Sequence, residues 1–139
     1  MDEALNPFTA KVIGMVDEAG ELVENPEAGA DFYNLLIDVG EDDEVEVNQH
    51  VLIFGLGPEI TDPDGGSSLG HFEIVRGTGK VSSVQVRMAI VRSTRTNTVQ
   101  YQKPQNINAL VAGISPDYGE REVLAPFRRP QIGDFVRFI

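Results

Sequence analysis

Two histidines, an aspartate-rich turn and a set of arginines are the residues whose chemistry could define a function. His50 and His71 share no HExxH or HxH spacing, so a two-histidine zinc site would depend on folding alone to join them. In the run Asp62-Pro63-Asp64-Gly65-Gly66-Ser67-Ser68, Asp62, Asp64 and Glu73 fall at positions 1, 3 and 12 of a calcium-loop count. The glycine such a loop needs at its sixth position is Ser67, Pro63 stiffens the second, and flanking helices are missing. Gly77-Thr78-Gly79-Lys80 has the glycines of a phosphate loop. It lacks the GxxxxGK[ST] spacing, and it precedes a strand-like run rather than a helix. Ser67 and Ser68 have no GxSxG elbow around them, and nothing marks either histidine as the base of a hydrolytic triad. The expectation is a chain without catalytic residues, metal ligands or a cofactor.

The arginines raise a different chemistry. Arg87, Arg92, Arg128, Arg129 and Arg137, with Arg95, Lys103 and the rings of Tyr101, Phe127 and Phe135, are the types a nucleic-acid-binding barrel uses. A net charge of −11 opposes that reading by repelling a polyanion at long range, and no RNA-binding motif is present. The charge is also divided along the chain. Residues 1–70 carry 17 acids and one base, Lys11, whereas residues 71–139 carry five acids and ten bases. Solvated surface accounts for such a division, and so would two complementary faces.

The elements that must position these residues are strands. Val, Ile, Phe and Thr dominate the apolar runs, and Gly and Pro punctuate them. Strands are expected at residues 8–16, 21–24, 32–39, 50–54, 72–75 and 81–93, and residues 130–139 read as a turn followed by a strand. Gly55, Gly57 and Pro58 are read as ending the fourth of these, and Gly77 and Gly79 as closing the fifth. In 81–93, the longest, Val84, Val86, Met88 and Ile90 share one face and are placed in the core, with a bulge near Ser82-Ser83. Residues 94–122 are polar and read as a long loop, within which 106–113 could be a short helix or a strand. Val47-Asn48-Gln49-His50-Val51 echoes Ile132-Gly133-Asp134-Phe135-Val136, which suggests two similar turn-to-strand starts.

The segment from Gly57 to Gly70, read as I-x-D-P-x-(T/G)-G-x-x-L-G, and its continuation Gly77-Thr78-Gly79-Lys80-Val81 resemble a known pattern. They are similar to the C-terminal domain of flagellar assembly protein T and to short bacterial proteins related to it. The resemblance covers roughly residues 32–93, with 132–139 as a closing strand. It implies a small all-β barrel that serves as an interaction module in an assembly, and it carries over no catalytic residue. Two departures matter. The acidic N-terminus has no apolar export segment, and the glycine-aspartate turn of the pattern is Asn48-Gln49 here. In residue terms the motif needs no ligand: Asp62 caps the turn, Pro63 presets φ, Gly65 or Gly66 relaxes the reversal, and Leu69 is expected to drop into the core.

One domain of 139 residues is long enough for a single core, and without cysteine it has no disulfide framework or thiolate chemistry. No run approaches the ~18 apolar residues of a membrane helix. The expectation is one small, partly open all-β barrel with long polar loops, in the cytoplasm. Its function is expected to be non-enzymatic protein binding or assembly with an unspecified protein partner, including self-association. A nucleic-acid-binding barrel is the alternative. The turn residues Asp62, Pro63, Asp64, Gly65, Gly66, Leu69 and Gly70 are the first site of interest. The basic residues Arg87, Arg92, Arg128, Arg129 and Arg137 are the second.

Overall fold

A computed structural model describes residues 10–27, 29–104, 106–115 and 117–139. Among the described residues eight strands form in chain order: β1 (Ala10–Val16), β2 (Asn34–Ile37), β3 (His50–Thr61), β4 (Ser68–Val84), β5 (Ala89–Ser93), β6 (Thr96–Gln102), β7 (Tyr118–Leu124) and β8 (Phe135–Phe138). One short helix, α1 (Ile107–Val111), joins β6 to β7. Six strands close an antiparallel barrel in the circuit β1-β2-β5-β4-β3-β8, with β8 paired back to β1. The small all-β barrel expected from strand content is therefore present, and it is closed rather than partly open.

Alternation builds the core. Val12, Leu35, Ile37, Val51, Ile53, Val81, Ala89, Val91 and Val136 are buried, so every barrel strand contributes at least one inward side chain. Phe127 joins them from outside the six strands and is fully buried. Gly77 and Gly79, read as strand terminators, lie inside β4 and make room for that ring. A Cβ on Gly79 would sit 2.8 Å from Phe127 Cζ. Glycine here marks a close approach, the other meaning it carries in a strand.

The 81–93 segment corrects the strand reading. It is two strands, broken by a tight turn in which Gln85 N donates to Met88 O at 2.8 Å. The turn resets the alternation. Val86 is 57% exposed, and Ala89, Val91 and Ser93 point inward instead of Val86, Met88 and Ile90. The bulge near Ser82 is present, as a register shift between Val81 and Ser83. The expected strand at 21–24 reduces to one bridge, Val16 to Leu22. The first expected strand begins, as described, at Ala10; residues 8 and 9 of it lie outside the described residues.

The remaining corrections concern two ribbons. β3 does not end at Gly55, and β4 does not begin near Phe72. They run on together past the barrel as an antiparallel ribbon from Phe54/Val75 to Thr61/Ser68. Bulges absorb the glycines and Pro58, with register shifts between Leu56 and Glu59 and between Ile60 and Thr61. The expected 94–122 loop is a second ribbon. β6 pairs with β7 from Thr96/Leu124 to Gln102/Tyr118, and α1 lies at its far end.

The barrel repeats itself. Before β3, Gln49 N donates to Glu46 O (3.3 Å), Glu46 N to Gln49 Oε1 (3.0 Å), and Asn48 N to Val81 O (2.8 Å). Before β8, Asp134 N donates to Gln131 O (3.1 Å), Gln131 N to Asp134 Oδ2 (2.8 Å), and Gly133 N to Val12 O (2.8 Å). Val81 N returns to Gln49 O, and Val12 N to Asp134 O. Just beyond Val81 and Val12 both partner strands shift register, at Ser83 and Gly14. The sequence echo at 47–51 and 132–136 is thus one piece of a larger equivalence. β1-β2-β3 and β4-β5-β8 are two matching three-strand units, related by an approximate two-fold axis through the β2–β5 and β3–β8 pairings.

Candidate functional site

The Asp62 turn closes the tip of the β3–β4 ribbon. Asp62 N donates to Ser67 O and Gly66 N to Asp62 O, both at 2.8 Å, and Asp64 N donates to Asp62 Oδ1 at 2.9 Å. Asp62 therefore caps its own turn, as its residue type dictates. Gly66 supplies the left-handed backbone at φ 71°. Ser68 Oγ donates to Glu59 Oε2 (2.8 Å) and accepts Gly70 N (3.2 Å). Leu69 does not enter the core. It is 65% exposed, because the ribbon has left the barrel at that point and no core lies beneath it. Glu73, the third member of the calcium count, is gripped by Arg137, with Nη1–Oε1 at 3.2 Å and Nη2–Oε2 at 2.6 Å. Among the described residues no three His, Asp or Glu side chains converge on one point.

The other single residues fall apart in the same way. His50 pairs with Lys80 at the barrel end of the β3–β4 hairpin; His71 pairs with Glu59 near its tip, and His71 Nδ1 lies 2.9 Å from Gly57 O. Thr78 and Lys80 belong to β4, so no phosphate loop forms around them.

The five arginines do not form one face. Arg92 on β5 donates to Asn34 Oδ1 at 3.3 Å, lies 3.6 Å from Glu18 and stacks over Tyr33. Arg137 is on β8, three strands away from β5 in either direction round the barrel, where it holds Glu73 and lies 4.6 Å from the Phe54 ring centroid. Arg87 is in the β4–β5 turn and shares an open depression with Asp38, Asp42, Asp43 and Met88. Arg128 and Arg129 are exposed at the root of the β3–β4 ribbon, where Arg128 N donates to Arg76 O at 2.7 Å. Of the rings read with these bases, Phe127 is buried, and Phe135 is half-buried with its centroid 5.8 Å from that of Phe54.

What the residue-by-residue reading missed is the exposed apolar surface of the ribbons. On the β3–β4 ribbon, Leu56, Ile60, Leu69, Phe72 and Val75 are each more than two-fifths exposed. On the second ribbon and its tip, Ile107 (73%), Val111 (83%), Ile114 and Tyr118 are open to solvent. Tyr101 crosses the ribbon over Gly119, where a Cβ would meet its ring at 2.8 Å, and Arg121 lies 5.6 Å from the ring centroid. The signal lay in Thr96-Asn97-Thr98-Val99 and its facing partner Glu122-Val123-Leu124, each too short to assign alone.

No protein-family model matches the chain, and a search of curated proteins finds no match. Among the described residues no helix is long and apolar enough to cross a membrane.

Proposed function

We propose that the chain is a non-enzymatic assembly module that binds protein through its ribbons, a second copy of itself included. One observation carries this reading. The barrel is closed around a filled core, while two ribbons leave it and hold apolar side chains in water, Phe72 and Val75 on one and Ile107 and Val111 on the other. Exposed apolar surface gathered on projecting elements is what protein–protein contact uses. The resemblance of residues 32–93 to the C-terminal domain of flagellar assembly protein T supports the same class of function. The flagellar role itself is not part of the proposal.

The nucleic-acid reading has less support. Its arginines lie on opposite sides of the barrel or are engaged by Glu18 and Glu73, and Phe127 is in the core.

Site-specific photo-crosslinking tests the choice. A crosslinking residue placed at Phe72 or Val111 should give protein adducts, while the same residue at exposed Glu24 on the barrel connection should give none. Adducts independent of position, or saturable and salt-sensitive binding of a fluorescent single-stranded oligonucleotide, would count against the proposal.

A further inference from the structure

The β3–β4 ribbon is patterned along its length. Cα partners share a face, so Ile74 lies with Gly55, Phe72 with the Gly57–Pro58 bulge, and Ile60 with Gly70. A Cβ on Gly57 would touch the Ile74 side chain at 3.4 Å, which confirms the shared face. Ile60, Phe72 and Ile74 thus form one apolar stripe, continuous with the inward face of the barrel but lying beyond it. Their exposures are 42%, 58% and 36%.

Charge is patterned too. From Gly55 to Val75 the chain has four carboxylates, Glu59, Asp62, Asp64 and Glu73, no Lys or Arg, and one histidine, His71. Glu73 is neutralised by Arg137 near the root, which leaves Glu59, Asp62 and Asp64 at the tip. The root carries the opposite sign. Arg128 and Arg129 are exposed there with no ion pair among the described residues, and the Arg95 side chain lies against Gly77; Asp31, whose Oδ1 accepts Arg129 N at 2.8 Å, offsets one of these three positive charges and leaves the root net positive.

We propose that two copies of the chain associate through this ribbon, laid antiparallel across a two-fold axis near Phe72. The acidic tip of each, Asp62 and Asp64, meets Arg128 and Arg129 at the root of the other. A two-fold axis perpendicular to the ribbon maps tip onto root, so one negative end and one positive end make the surface self-complementary. A parallel arrangement would set tip against tip and repel. The span fits, because the six or seven residues from root to tip extend about 20 Å. The apolar stripes then face one another and remove Phe72 from water at the centre, where a contact counts most. This inference rests on the reading of the ribbons as protein-binding elements.

Sedimentation equilibrium of the full chain, at low and high sodium chloride, tests it. A dimer that weakens with salt is expected. Asp62→Lys with Asp64→Lys should weaken it by roughly tenfold or more, and so should Arg128→Glu with Arg129→Glu. An equimolar mixture of the two charge-reversed proteins should regain a heterodimer. Phe72→Ser should weaken association while leaving unchanged the circular dichroism spectrum and, at concentrations where the parent is monomeric, the melting temperature, since the side chain is 58% exposed. A dimer indifferent to all of these substitutions would overturn the ribbon pairing while leaving protein association standing. A monomer at every concentration would overturn the pairing and the self-association with it, and Phe72 crosslinks to a different protein would then still support the broader reading.

Discussion

Arg76 Nε donates to Asp134 Oδ2 across 3.1 Å, with only 11% and 6% of the two side chains exposed. The pair ties the root of the β3–β4 ribbon to the turn that starts β8, and the same carboxylate oxygen accepts Gln131 N. Asp134→Ala would leave Arg76 buried without its counter-charge and Gln131 N without its acceptor. A loss of about 3 kcal/mol is expected in urea denaturation. Asp134→Asn keeps an acceptor and should lose less. A loss below about 0.5 kcal/mol for the alanine variant, the level of an ordinary surface change, would show that the pair does not hold the root.

Phe127 depends on the glycines beneath it. Gly79→Ala should cost about 1–3 kcal/mol by overpacking, because the new methyl meets Phe127 Cζ and the Arg92 carbonyl, each at 2.8 Å. Phe127→Leu in the same chain should relieve part of that cost, giving a non-additive double-mutant cycle. Relief is partial because the Arg92 carbonyl is backbone. Additive effects would mean that ring and glycine do not share the space.

The phase of β5 has a direct thermodynamic test. Val91→Ala, at a fully buried position, should cost about 2 kcal/mol, whereas Val86→Ser in the exposed turn should change stability by less than about 0.5 kcal/mol. Reversed magnitudes would restore the uninterrupted strand that alternation alone suggests.

Asn48 and Gly133 hold equivalent places in the two turns, both left-handed, at φ 75° and 97°. Asn48→Gly should be neutral or slightly stabilising, while Gly133→Ala should cost about 1–2 kcal/mol. Equal and small effects at both would argue against a left-handed requirement in the turns.

The second ribbon stands apart from the core. Thr96 and Leu124 are Cα partners, so residues 97–123 can be replaced by an Asn-Gly turn. The shortened protein should unfold cooperatively within about 1 kcal/mol of the parent, since none of the described side chains removed is buried. Loss of cooperative unfolding would make the ribbon part of the barrel's stability.

By itself the sequence determined the class of fold, the tip of one hairpin and the start of two strands. These are local matters. β-branched runs between Gly and Pro specify strands, Asp62-Pro63-Asp64-Gly65-Gly66 specifies a reversal, and Asn48 and Gly133 specify left-handed turns. Tertiary structure decided what depends on distant partners. A glycine reads as a terminator until Phe127, some fifty positions away, is seen to need the space it leaves. Alternation across 81–93 suggests one strand until pairing with β2 fixes Leu35 opposite Val91 and breaks the run at the turn. Leu69 has core chemistry, but only the geometry shows that the ribbon has already left the barrel. The arginines share a charge, yet the strand order separates Arg92 from Arg137 and leaves Arg128 and Arg129 at the root of the acidic ribbon. Side-chain type is encoded locally; burial and juxtaposition are set by which strands close the barrel.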